Sequence, residues 1–78
     1  MELNDFVEKM VDCFNQTEAS EITPSTRFRE LEEWGSMMAL IVIAMIDSDF
    51  NKTVDADDLK AANTIEELFI IVQNKPTN

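Results

Sequence analysis

Three places in this 78-residue chain hold side chains with chemical potential: Ser36, Cys13 and the acidic run from Asp47 to Asp58. Ser36 follows Gly35 and precedes Met37, where a polar, turn-rich stretch gives way to a long apolar one. A serine at the start of a helix lies beside the positive end of the helix dipole and near N–H groups that have no partner within the helix. That place favours a phosphate, so a phosphodiester on the Ser36 hydroxyl would be stabilised there. Gly35 lets another protein's backbone come close. The same residues have a plainer reading. Serine is a preferred N-cap, and Ser36 then only caps the helix that follows, in which case Ser36→Ala costs about 0.5–2 kcal/mol.

Cys13 is the only cysteine and the chain has no histidine. No intramolecular disulfide can form, a histidine-based triad or zinc site is excluded, and nothing is present to activate the thiol in the usual way. Cys13 flanks an apolar stripe and reads as a small buried hydrophobe. The carboxylates fall mostly on polar helix faces instead of pairing in an apolar pocket, so no enzymatic chemistry is expected of the chain itself. Asp47, Asp49, Asn51, Asp55 and Asp58 fit positions 1, 3, 5, 9 and 12 of a calcium loop. Lys52 stands where the sharp turn needs glycine, and Asp58 is shorter than the bidentate glutamate. No dedicated metal site is expected, only loose divalent binding at Asp47, Asp49 and Asp55 in the range of about 10⁻⁴–10⁻³ M.

Six basic and sixteen acidic residues leave a net charge of −10. Such a field repels phosphate backbones and anionic membrane surfaces and attracts basic protein partners. Nucleic-acid binding is therefore excluded. The first residues, Met1 to Asp5, lack the basic region of a signal peptide. The longest apolar run, Met37 to Ile46, is ten residues, about half of the ~20 that span a bilayer. The expectation is a soluble, cytoplasmic, monomeric protein with no membrane insertion.

One glycine and two prolines argue against a β-sandwich or barrel. Leu3, Phe6, Val7, Met10, Val11 and Phe14 follow helical spacing and predict helix one over about 3–15. Residues 16–35 form a long loop, with Pro24 inside it and Ile22, Phe28, Leu31 and Trp34 as anchors to the core. Helix two runs from about Ser36 to Phe50, with Ala39, Val42, Ile43, Ile46 and Phe50 facing the core. Asp55 and Asp58 cap a short third helix over about 56–62, and Thr64 with Glu67 forms the capping box of a last helix with the stripe Ile65, Leu68, Phe69 and Val72. The fold is an all-α four-helix bundle, three main helices plus one short helix, with a long loop between helices one and two, and residues 1–78 make a single domain.

These features together resemble an acyl carrier protein, from about Leu3 to Val72. Size and acidity match, as does the helix order. Phe28-Arg29-Glu30-Leu31 resembles the family's Phe-x-Asp/Glu-Leu stretch, five residues before its serine, and Trp34-Gly35-Ser36-Met37 resembles its Asp-Ser-Leu attachment motif. The resemblance implies that Ser36, with Gly35 and Met37 beside it, carries 4′-phosphopantetheine, and that acyl groups ride on the arm as thioesters for fatty-acid, polyketide or related specialised biosynthesis. It implies a phosphopantetheinyl transferase and the acyl-transferring and condensing enzymes of a pathway as partners. Two departures stand out. Gly35 replaces the family's aspartate, and the outer face of helix two, acidic in the family, is apolar here. Met37, Met38, Leu40 and Ile41 are accordingly assigned to partner docking, which suggests a specialised carrier. A calcium-binding module and a carrier-like module that is never modified remain the alternatives.

Overall fold

Apolar residues recurring every three to four positions form the four helices of this computed structural model, which describes all 78 residues. Helix α1 spans Leu3–Cys13, α2 Ser36–Phe50, α3 Ala56–Ala61 and α4 Ile65–Gln73. Two 3₁₀ turns, Ala19–Glu21 and Phe28–Glu30, lie in the long α1–α2 connection. There are no strands, only an isolated antiparallel bridge between Lys52 and Thr77. The expected all-α bundle of three main helices and one short one is what forms. No helix is long and apolar enough to cross a membrane.

Sixteen buried residues, every one apolar, make one core. Phe6 and Met10 of α1 enter it, and Phe14 follows just past the helix end. The Phe6 ring sits between Phe50 and Phe69, at 5.7 Å from each. The α4 stripe Ile65, Leu68, Phe69 and Val72 is buried throughout. In the long loop Ile22 and Phe28 are buried, with Leu31 and Trp34 packed against the core, so the loop is anchored at the expected residues.

The core face of α2 differs from the expected stripe. Met38, Val42, Met45 and Ile46 are buried, while Ala39, Ile43 and Phe50 lie at the edge of the core. At about 100° per residue the inward arc is roughly 160° wide and begins at Met38 and Met45. Met38, assigned to partner docking, is only 6% exposed. That assignment is corrected: Met38 lies about 100° from Met37 and on the core side. Helix α2 is apolar nearly all round from Met37 to Ile46, so periodicity alone could not select the inward face.

Capping explains the helix limits. Asn51 ends α2 in the left-handed region (φ 56°), a conformation asparagine tolerates, and donates its N–H to the Asp47 carbonyl at 3.1 Å. Asp55 and Asp58 form a reciprocal capping box on α3. Burial alone pushes the Asp58 carboxyl up, but the Asp55 N–H and the Lys75 ammonium outweigh it and hold the group below its ordinary value. On α4 half of the expected box forms. Thr64 accepts from the Glu67 N–H at 3.2 Å, whereas the Glu67 carboxylate reaches back to the Asn63 N–H at 2.8 Å. The carbonyls of Thr26 and Pro24 accept from Ile65 and Glu66, so the long loop itself satisfies the start of α4.

Candidate functional site

The chain enters α2 through a rigid approach. Trp34 packs edge-on against Phe28 with ring centres 5.2 Å apart and stacks on Phe14 at 6.4 Å. Beside it, the Glu33 carboxylate accepts from the N–H groups of Asn15 and Gln16 at 2.8 and 2.9 Å and from the Thr17 hydroxyl at 3.0 Å. The Asn15 N–H foremost holds the Glu33 carboxyl below its ordinary value. Both ends of the loop are thus tied together two residues before Ser36 is reached.

Ser36 is the first residue of α2, and Gly35 occupies the N-cap in an extended conformation. The expected role of Ser36 as N-cap is corrected on this point. No side chain caps the helix, and the first N–H of this end to find a backbone partner is that of Ala39, bonded to the Gly35 carbonyl at 3.0 Å. The N–H groups of Ser36, Met37 and Met38 therefore face the exposed Ser36 side chain's end of the helix without backbone partners. The first turn holds no acidic residue. An ideal Cβ placed on Gly35 meets nothing within 4 Å, so the approach to Ser36 is open.

A groove of about 470 Å³ starts at Ser36 and runs between α2 and α3. Trp34, Ala39, Leu40, Ile43 and Leu59 give it apolar walls, with Arg29 and Lys60 at its polar edge. Arg29 is a groove residue whose place the sequence did not reveal. Its Nε donates to the Ala62 carbonyl at 3.1 Å, and its Nη2 donates to the carbonyls of Ala62 and Lys60 and to Asn63 Oδ1 at 3.0–3.1 Å. A cation at the carbonyl end of α3 is favourable, and this one holds the outer wall of the groove. The only sequence hint was a basic residue flanked by the anchors Phe28 and Leu31 in an acidic loop.

Met37, Leu40 and Ile41, assigned to docking on the sequence alone, are 74%, 67% and 38% exposed. Cys13 is half-buried, and burial, with Asp12 and Asp49 nearby, pushes its thiol up to about 11. No three carboxylates converge into a group that could hold a metal ion. Asp47 accepts from the Asn78 amide at 2.8 Å, and Asp55 is committed to its capping box. Asp47, Asp49 and Asp55 are therefore not brought together as a calcium loop. A second, polar cavity of about 320 Å³, lined by Glu21, Glu32 and Glu33, lies on the loop side.

These residues fit a phosphodiester. An oxygen nucleophile stands exposed at an uncapped helix N-terminus, with two basic side chains on the adjoining groove and no acid in the first helical turn. A family model described as a phosphopantetheine attachment site matches residues 8–69, which is most of the chain. The chain belongs to this phosphopantetheine-attachment family, whose members bind 4′-phosphopantetheine as a prosthetic group and act as carrier proteins. Neither curated proteins nor solved structures give a match.

Proposed function

We propose that this chain is a cytoplasmic, monomeric acyl carrier protein of one domain, residues 1–78, and that Ser36 Oγ is the attachment atom of 4′-phosphopantetheine. The observation that carries the reading is the Ser36 hydroxyl: exposed, without a hydrogen bond in the protein, and inside the residues that match the family. When bound, the arm supplies a thiol that holds acyl groups as thioesters. The chain's own residues do the rest. The unpaired N–H groups of Ser36, Met37 and Met38 stabilise negative charge at the attachment point, and Arg29 and Lys60 add positive charge on the groove side. Trp34 and Glu33 hold the attachment point still while the arm swings. The apolar groove offers shelter to an aliphatic cargo between visits to partner enzymes. The chain carries and presents, and the transferase and the acyl-transferring and condensing enzymes do the chemistry. The apolar outer face of α2 supports a specialised pathway in fatty-acid, polyketide or related metabolism.

The test is Ser36→Ala treated with a phosphopantetheinyl transferase and its phosphopantetheine donor, read by intact mass. The parent should gain one arm and the variant none. Because Ser36 makes no capping bond, the variant should melt within about 2 °C of the parent, with no sign of the 0.5–2 kcal/mol of a lost cap. An arm on the alanine variant, or on another serine, refutes the assignment.

A further inference from the structure

Residues 75–78, which follow α4, make a set of contacts that neither the core nor the Ser36 site uses. Pro76 has no N–H to continue the helix, and the chain turns back across the link between α2 and α3. Thr77 forms the antiparallel bridge with Lys52. The Asn78 N–H donates to the Asn51 carbonyl at 2.7 Å, its side-chain Nδ2 donates to Asp47 at 2.8 Å, and its Oδ1 accepts from the Thr53 hydroxyl at 2.9 Å. The Lys52 ammonium donates to the Lys75 carbonyl, and the Lys75 ammonium pairs with Asp58 at 3.1 Å. The segment thus ties the end of α4 to the end of α2, to the link and to the first turn of α3. We propose that it is a strap that sets the rotation of α3, and through it the opening of the groove beside Ser36.

The mounting of α3 makes it the element that can move. It packs on α4, and the groove separates it from α2. Two buried residues pin its ends: Val54 before it, and Ala62 after it, whose carbonyl is held by the Arg29 fork. A short helix pinned at both ends keeps one freedom, rotation about the line that joins the pins. Asp58 stands off that line, about 100° around the helix from Leu59, which lines the groove. The Lys75 ammonium on Asp58 therefore sets how far Leu59 leans over the groove. The contacts of residues 75–78 lie at the surface and are individually weak, and none of these residues belongs to the core. The strap can lift while the fold persists. None of the four lines the groove, so any effect of the strap there has to pass through the helices that it holds.

Trp34 is the only tryptophan and lines the groove, so it reports on the groove without a label. Its quenching by acrylamide, a neutral probe, is measured together with hydrogen exchange in the parent, Lys75→Gln, Lys75→Arg, Asn78→Asp and a control, Lys9→Gln. Lys9 is exposed on α1, away from strap and groove. Lys75→Gln removes the charge on Asp58, and Asn78→Asp sets a carboxylate against Asp47 in place of an amide donor. Both should raise the Trp34 quenching constant roughly twofold and speed exchange at the Leu59 N–H about tenfold, with exchange at Met10 and Leu68 in the core unchanged. Lys75→Arg keeps the cation and should behave as the parent, and so should Lys9→Gln. If Asn78→Asp fails to fold, Thr53→Ala, which removes one bond of the strap, is read in its place. Parent-like quenching in the strap variants overturns the proposal. Faster exchange spread equally over Leu59, Met10 and Leu68 makes residues 75–78 a general brace and overturns it too. Every measurement is made on the chain without an arm, so failure here leaves the carrier reading, which intact mass tests, untouched.

Discussion

Arg29→Ala tests whether one loop side chain holds the wall of the groove. Helix α3 has six residues, too few to be helical alone, since isolated helices below about 12–15 residues are marginal in water. It is held by its capping box, by the Lys75–Asp58 ion pair at 3.1 Å, and by the Arg29 fork on the carbonyls of Lys60 and Ala62. Hydrogen bonds from charged donors contribute about 1.5–3 kcal/mol where desolvated. Arg29 is half-buried and Asn63 is exposed, so the whole clamp is placed at about 2 kcal/mol, near the lower end of one such bond. For a domain of this size that is a fall of roughly 8–16 °C in melting temperature. Arg29→Lys is the sharper variant. Its point charge still favours the α3 carbonyl end, worth about 0.3–1 kcal/mol, but it cannot bridge two carbonyls in fork geometry. It should recover less than half of the loss. The melt is followed by circular dichroism, and hydrogen exchange at Leu59 and Ala62 should rise in both variants. An alanine variant melting within 2 °C of the parent, or a lysine variant equal to it, refutes the clamp.

Two further outcomes are expected. Glu33, held below the ordinary glutamate value of about 4.3 by the Asn15 and Gln16 N–H groups, contributes stability that is fully present above that pH and is lost as pH falls through the folded value; acid titration of the melting temperature should therefore be shallower in Glu33→Gln than in the parent below about pH 4.5, and equal slopes would remove Glu33 from the loop closure. Gly35→Asp should raise the melting temperature by about 2–8 °C, because the extended N-cap has room for the side chain and an aspartate there adds a cap and favourable charge of about 0.5–1 kcal/mol; a fall in calorimetry would mean the open space at Gly35 is needed by the fold.

The sequence was legible where a helix has a polar side. In α1 and α4 the stripes Phe6–Met10 and Ile65–Val72 contrast with charged neighbours, and both pack as their spacing implies. Helix α2 has little such contrast, so the inward place of Met38 and Met45 depended on α1 and the long loop lying where they do. The outward place of Met37, Leu40 and Ile41 was legible only because a core arc can take no more than part of the circumference. At the site, the serine and its junction were visible, but the helix begins at Ser36 itself, with Gly35 extended at the N-cap, so the capping position lies one residue earlier. Arg29 was out of reach for a different reason. Its acceptors lie more than thirty residues away, and no local pattern encodes a contact of that range.

The half-burial of Cys13 bears on the fidelity of the cargo. With its thiol pushed up to about 11, roughly one molecule in 10⁴ holds a thiolate at pH 7, and only the thiolate attacks thioesters and disulfides. In the acyl carrier proposed above, a freely ionising cysteine on the same small globule would compete for acyl groups the arm brings near, taking them by thiol–thioester exchange and releasing the arm's own thiol. Half-buried against the core at the end of α1, Cys13 is a poor nucleophile at neutral pH. In the acyl carrier proposed above, a substitution that exposed this thiol would act as a slow leak of acyl groups while leaving the fold intact.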